Sequence, residues 1–259
     1  MPEFLDVCVQ AARQGGQILL DWQGKFTSRE KGRRDLVTEA DEASQVAIQD
    51  LLLGTFPDHD FVGEEDQKPA GNRRKSPFRW IVDPLDGTAN YVHGMSMFAV
   101  SIALEREGEI IAGTVFDPVA NECYSAAKGQ GATLNGQPLH VSGCRAMNEA
   151  LIAVSFAANV ERESREIGWF IETLLACQSV RRLGSAALNL AYLAAGRMDA
   201  YLTTSVKIWD IAAGVLLVTE AGGTLQSLDG SAINLEKPEF LASATPELQR
   251  DLLQVLLRA

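Results

Sequence analysis

Near the start of the chain, apolar residues recur at Leu5, Cys8, Val9, Ala12, Ile18 and Leu19, the spacing of one helix face. The pattern predicts a helix over residues 4–22, which Gly15-Gly16 weakens only slightly. A second helix is predicted after Leu36-Val37, running to about residue 53. Thr38 can cap it, and Glu39, Asp41 and Glu42 fill the first turn, where the helix dipole favours negative charge. The polar run 66–77 reads as a mobile surface loop. Strands are predicted at 78–82, 98–105, 110–116 and 123–127, joined by short turns, with Asn135-Gly136 as a hairpin signal because both residues tolerate positive φ. After Gly143 the pattern alternates: strands at 151–156, 180–183, 198–202, 225–227 and 240–242, and helices at 163–176, 185–195, 208–221 and 247–257. The expectation is an α+β first half, 1–144, and an α/β second half, 145–259, without repeats or low-complexity segments.

Composition narrows the function classes. Of 259 residues, 46% are hydrophobic and 22% charged, as in a globular protein. The net charge of −11 and the lack of a long basic run disfavour nucleic-acid binding. No apolar run reaches the roughly 20 residues of a membrane span, and the start lacks the features of a secretory signal. Cys8, Cys123, Cys144 and Cys177 lack zinc-site spacing and read as reduced thiols, with the cytoplasm as the expected compartment.

Chemistry concentrates in "WIVDPLDGTANYVHG", Trp80 to Gly94. An apolar strand runs into Asp83, with Asp86 three residues on. Burying such carboxylates costs several kcal/mol per ion, by rough estimate, unless a counter-charge is present. Pro84 stiffens the turn, and Gly87 lets the backbone approach something bound there. A helix starting just after would offer free N–H groups to an anion such as phosphate. Carboxylates beside an anion seat make sense when hard cations bridge them, with Mg²⁺ the default. Further acids stand at element ends: Glu64 in Gly63-Glu64-Glu65-Asp66 after an apolar Phe61-Val62, Asp210 opening a helix, and Asp41 opening another. Taken singly, each reads as a capping or solvated carboxylate.

Six segments, in order and over nearly the whole chain, resemble the inositol monophosphatase family of metal-dependent, lithium-sensitive phosphatases. They are "DLVTEAD" (35–41), "GEE" (63–65), the Asp83 segment, "GSAALN" (184–189), "WDIAAG" (209–214) and "EAGG" (220–223). The resemblance implies a layered α/β/α/β/α sandwich, assembled as a homodimer, acting on a small phosphorylated polyol or sugar. Two to three Mg²⁺ are implied. Glu64 and Asp83, with the carbonyl of Leu85, would hold one ion; Asp83, Asp86 and Asp210 a second; and a weaker third would lean on Glu64 and water. Gly87 and Thr88 would seat the phosphate, while Asp41, paired with the Thr88 hydroxyl, and Glu64 would orient and deprotonate the attacking water. Asp86 and Asp210 would also face the substrate, with Ser185 and Ala186 offering backbone N–H groups to sugar hydroxyls.

The residues exclude other phosphatase routes. Asp83 and Asp86 are three apart, where aspartyl-phosphate enzymes of the haloacid dehalogenase type use acids two apart, and no Cys precedes an Arg by six. In-line attack by water without a phosphoenzyme is the expected path. Substrate choice is less legible. Seven residues before Asp210, where the family carries a glutamate, this chain has Thr203, in what reads as a loop, so strict inositol preference is not implied. Lys207 and the stretch 155–162 would border the pocket, and His93 reads as a turn or surface residue. Histidinol phosphate, fructose 1,6-bisphosphate and adenosine 3′,5′-bisphosphate stay open as substrates. A non-catalytic regulatory protein on this fold is the reading from a different class.

Overall fold

The first predicted helix forms as α1 (Pro2–Trp22), and its two glycines turn out to be contact points rather than weak links. An added Cβ would fall 2.7 Å from Ile48 at Gly15 and 2.6 Å from the Phe116 ring at Gly16, so α1 lies close to its neighbours there. The computed structural model describes residues 2–32, 35–66, 76–156 and 160–259. A hairpin of β1 (Ser28–Gly32) and β2 (Asp35–Thr38) leads into α2 (Glu39–Thr55). Thr38 caps α2 as expected: its Oγ1 accepts from Ala40 N at 3.2 Å, and the Asp41 carboxylate reaches back to Thr38 N at 2.9 Å.

A seven-stranded sheet follows, from β3 (Asp60–Gly63), β4 (Phe78–Asp86), β5 (Ala99–Arg106), β6 (Glu109–Asp117), β7 (Glu122–Ala127), β8 (Ala132–Leu134) and β9 (Gln137–Leu139), side by side in that order. β3 is parallel to β4 and the other pairs are antiparallel. Short α3 (Thr88–Val92) lies between β4 and β5. The β8–β9 turn holds Asn135 at φ 49° and Gly136 at φ 80°, the hairpin its sequence predicts.

The remaining elements are β10 (Leu151–Ser155), α4 (Arg165–Ala176), β11 (Ser179–Arg181), α5 (Ala186–Ala194), β12 (Ala200–Thr203), α6 (Ile208–Glu220), β13 (Thr224–Ser227), β14 (Phe240–Ser243) and α7 (Pro246–Leu256). Their five strands run β11-β10-β12-β14-β13, parallel among the first three and antiparallel at β14. Three apolar layers join the elements. α1 and α2 cover one face of the large sheet, α5 and α6 fill the space between the sheets, and α4 and α7 cover the far face of the small sheet. This is the five-layer α/β/α/β/α sandwich. No helix is long and apolar enough to cross a membrane among the described residues.

Two expectations change. The predicted loop 66–77 falls largely on residues 67–75, outside the described residues. β4 does not stop at Val82 but continues through both acids to Asp86.

Candidate active site

The continuation of β4 is what aims its acids. Asp83 pairs with Ser101 and Asp86 with Ala99, so three steps on β4 face two on β5, and the register shifts. Pro84, without an N–H for the ladder, occupies that bulge. Asp83 and Asp86 emerge 1% and 8% exposed. Asp83 Oδ1 accepts from Leu85 N at 3.0 Å. Asp86 spans to the second half of the chain, accepting from Ala187 N at 2.7 Å, from Ala186 N at 3.3 Å and from the Ser185 hydroxyl. The first turn of α5 thus places its free N–H groups on a carboxylate, a favourable use of a helix N-terminus.

Glu64 follows the end of β3, its N–H donating to Val82 O at 3.1 Å, which sets it beside β4. Gln45 pins that turn, accepting from Glu65 N at 2.9 Å and donating to Asp66 at 3.1 Å. Asp210 sits in the first turn of α6, accepting from Lys207 N at 2.7 Å, and Ser101 Oγ donates to Trp209 O at 3.1 Å, tying that turn to β5. The outcome is one cluster: Glu64, Asp83 and Asp210 each present an oxygen, all within 4.8 Å of one another.

On the other side of β4, Asp41 accepts from the Thr38 hydroxyl at 2.5 Å and from the Thr88 hydroxyl at 3.2 Å. The same Thr88 hydroxyl lies 3.1 Å from Leu85 O. With one hydrogen for two acceptors, Thr88 bonding to Asp41 leaves the Leu85 carbonyl open to another partner.

Electrostatics mark the cluster as a place for positive charge. Burial, then the charges of Glu64, Asp86 and Asp210, hold the Asp83 carboxyl well above the usual carboxylate range. Burial and the neighbouring acids raise Asp210 as well. Glu64 is raised by burial although Lys31 opposes the shift. Asp86 is pushed up to about 6 by burial, against the hydrogen bonds from α5. Asp41 is pushed up to about 7 by burial, against those from Thr38. All-oxygen donors, crowded together and resisting ionisation, fit a hard divalent cation such as Mg²⁺.

Gly87 joins this cluster to α3. Its φ is +95°, and an added Cβ would meet Met97 O at 2.9 Å and Phe98 Cα at 3.3 Å, both backbone. Gly87→Ala is expected to lower stability by roughly 1–3 kcal/mol from the strained backbone alone and to displace the α3 N-terminus. Thermal denaturation checks the first effect, and the backbone amide chemical shifts of α3 in the folded variant check the second.

The other sequence candidates fall differently. Ser185 and Ala186, whose N–H groups the resemblance assigns to sugar hydroxyls, also meet Asp86: the Ser185 hydroxyl and the Ala186 N–H both donate to it. Thr203 lies at the end of strand β12 rather than in a loop, fully buried. Lys207 is exposed at the N-cap of α6, and His93 is exposed at the C-cap of α3. The stretch 155–162 lies partly outside the described residues.

Two partners escaped the sequence reading. Lys31, on the β1–β2 hairpin, places its ammonium 3.1 Å from Glu64 and 2.6 Å from Glu65. Burial opposes its charge, but the two glutamates hold its pKa above the ordinary lysine value. Glu220, in the "EAGG" segment, accepts from Gly129 N and Gly131 N, each at 2.8 Å, and so clamps the β7–β8 turn to the end of α6.

A family model described as the inositol monophosphatase family matches residues 1–258. The chain is 39% identical over 263 residues to an inositol-1-monophosphatase of Mesorhizobium japonicum, covering 98% of this chain and 96% of that protein. It is 37% identical over 251 residues to the Nus factor SuhB of Pseudomonas aeruginosa, covering 95% and 93%. The solved structure of an IMPase/NADP phosphatase complexed with Mg²⁺ and phosphate superposes with TM-score 0.83 at 28% identity, covering 94% of this chain and 90% of that one.

Proposed function

Because the chain belongs to the inositol monophosphatase family, we propose that it is a Mg²⁺-dependent phosphomonoesterase acting on inositol monophosphate or a similar polyol phosphate. The observation that carries the reading is the convergence of Glu64, Asp83 and Asp210 within 4.8 Å, beside the Gly87–Thr88 start of α3. Glu64, Asp83, Asp86 and Asp210, with the Leu85 carbonyl, would hold two to three Mg²⁺. Bound there, the ions would neutralise phosphate charge, lower the pKa of the attacking water and steady the leaving alkoxide.

The remaining chemistry belongs to the chain. The N–H groups of Gly87 and Thr88 seat the phosphate at the start of α3. Asp41 accepts from the Thr88 hydroxyl at 3.2 Å, which would leave a lone pair of Thr88 Oγ1 free to accept from the attacking water. Asp41, pushed up to about 7 by burial, is suited to accept a proton near neutral pH, with Glu64 as its neighbouring acid. Thr203, fully buried, brings no negative charge to the position where the family carries a glutamate, which favours tolerance among polyol and sugar phosphates. Assembly as a homodimer belongs to the same reading, and the exposed Ile171, Leu174 and Leu175 on α4 suit such a contact.

The relative named Nus factor SuhB favours a regulatory role as the second reading. Retention of all four metal acids together with Asp41 and Thr88 weighs against regulation as the sole function, since a purely regulatory fold has no need of a buried anionic cluster.

Phosphate release with and without Mg²⁺ separates these. The substrates are inositol 1-phosphate, fructose 1,6-bisphosphate, histidinol phosphate and adenosine 3′,5′-bisphosphate, with Asp210→Asn as control. Mg²⁺-dependent turnover of inositol 1-phosphate, lost in the variant and inhibited by millimolar Li⁺, is the expected result. Turnover of another substrate alone would replace the substrate class. Release from none of the four would favour the regulatory reading.

A further inference from the structure

Behind Asp86 lies a group of polar side chains that the proposed chemistry does not use. Asn189, Tyr201 and Thr203 are all 0% exposed. No well-formed hydrogen bond reaches the Asn189 amide nitrogen and oxygen, the Tyr201 hydroxyl or the Thr203 hydroxyl, and the polar groups within reach of the Tyr201 hydroxyl are Ser155, Thr203 and Asn189. Topology explains why they meet. Ala153 pairs with Tyr201 and Ser155 with Thr203, so these four residues stand on one face of the small sheet, at the C-terminal ends of the parallel strands β10 and β12. That face looks onto α5. Asn189 lies one turn beyond Ser185 on α5, its N–H donating to Ser185 O at 3.2 Å. The Tyr201 hydroxyl sits beside Ser155, Thr203 and Asn189 and within reach of the Asp86 charge. Its ring packs edge-on against Phe240 at 6.0 Å, which fixes the hydroxyl from behind.

Uncompensated polar atoms at zero exposure destabilise a core, and apolar replacements of the same shape are neutral or stabilising. Four such atoms in one place are therefore not explained by stability. Their position is informative instead. α5 meets Asp86 through the Ser185 hydroxyl, which also accepts from Leu188 N at 3.1 Å, and through the N–H groups of Ala186 and Ala187. Whatever sets the first turns of α5 against the small sheet sets the orientation of Asp86. Carboxylate ligands depend on such outer partners for their geometry.

We propose that Tyr201, with Asn189 and Thr203, is a positioning residue that holds the first turns of α5 against Asp86 and so tunes the cation affinity of that carboxylate. This rests on the reading of Asp86 as a cation ligand. The group makes no contact with substrate and acts through Asp86.

Tyr201→Phe keeps the ring and removes only the hydroxyl. Binding of Mn²⁺, an oxygen-seeking probe followed by water-proton relaxation, reads the site without requiring turnover. The variant is expected to keep or raise the melting temperature of the metal-free protein while weakening Mn²⁺ binding by about tenfold or more. In an Asp86→Asn background the same change should have little further effect, because the hydroxyl acts through the carboxylate. Thr203→Val, which keeps shape, should weaken Mn²⁺ binding in the same direction, and Thr203→Ser should restore it. Unchanged Mn²⁺ affinity in folded Tyr201→Phe and Thr203→Val would overturn the proposal, whatever happens to melting temperature. A loss as large in the Asp86→Asn background as in the native protein would overturn the route through Asp86. Failure of every phosphate ester with these Mn²⁺ results intact would reject the enzyme reading and leave this inference standing.

Discussion

Asp83→Asn is expected to reduce phosphate release by about a thousandfold while raising the melting temperature of the metal-free protein. The loss follows from position. Asp83 is the acid common to both proposed ion sites, 1% exposed, within 4.8 Å of the Glu64 and Asp210 oxygens. Neutral asparagine keeps the shape and one oxygen but removes the charge that makes the site attractive to a cation. Cation assistance contributes several kcal/mol to transition-state stabilisation, and roughly 4 kcal/mol corresponds to about a thousandfold. The gain in stability follows from the same geometry. Without a cation, the folded chain must keep Asp83 beside Glu64, Asp86 and Asp210 in a buried space, and those charges raise its pKa. Removing one acid relieves the repulsion and leaves Leu85 N an oxygen to bond. Opposite signs in the two measurements distinguish a ligand from a framework residue, whose loss would lower both. Steady-state kinetics and calorimetry on one preparation provide the comparison. A variant that is inactive and less stable without metal would assign Asp83 a structural role.

The legible parts of the fold are those where one residue carries its own reason. Thr38 before an acidic first turn can hardly be anything but a helix cap, and Asn135-Gly136 fits few turns besides a hairpin. Asp83 and Asp86 were legible for the opposite reason, because an apolar run ending in acids violates the rule for a core strand. Violations of this kind concentrate at functional sites. What stayed hidden depends on partners far apart in sequence. β1 is Ser28-Arg29-Glu30-Lys31-Gly32, entirely exposed, so no alternation announces a strand. Lys31 meets Glu64 and Glu65 only because the hairpin comes back to the turn that follows β3. The bond from the α5 N-terminus to an acid about 100 residues earlier in the chain is another such pairing. Thr203 read as a loop residue because the family places that position in the loop before Trp209-Asp210, whereas pairing with Ser155 and Phe240 makes it the end of a strand. Gly15-Gly16 looked weak by propensity, while packing against Ile48 and Phe116 makes those glycines necessary.

The pH dependence of stability in the metal-free protein carries the second large effect. Buried acids here have folded pKa values above the unfolded range of about 4, with Asp86 near 6 and Asp41 near 7. Raised values fix the sign. Below about pH 4 these groups are protonated whether the chain is folded or not, and their contribution to stability is fully present. As pH rises toward 6–7, the unfolded chain releases its protons first, and stability falls until the folded groups ionise too. The metal-free protein is therefore expected to melt about 10 °C lower at pH 8 than at pH 5, a drop of several kcal/mol for a chain of this size. Mg²⁺ should reverse the trend at pH 8, where the carboxylates are free to bind, and do little at pH 5, where protons compete for the same oxygens. Self-repulsion from the net charge of −11 also grows with pH, so the Mg²⁺ comparison needs a partner. Asp210→Asn supplies it. That variant keeps nearly the same surface charge but loses one raised acid, so its pH slope should flatten and its Mg²⁺ stabilisation at pH 8 should shrink. Equal slopes in both proteins would trace the trend to overall charge and remove the buried cluster as its cause.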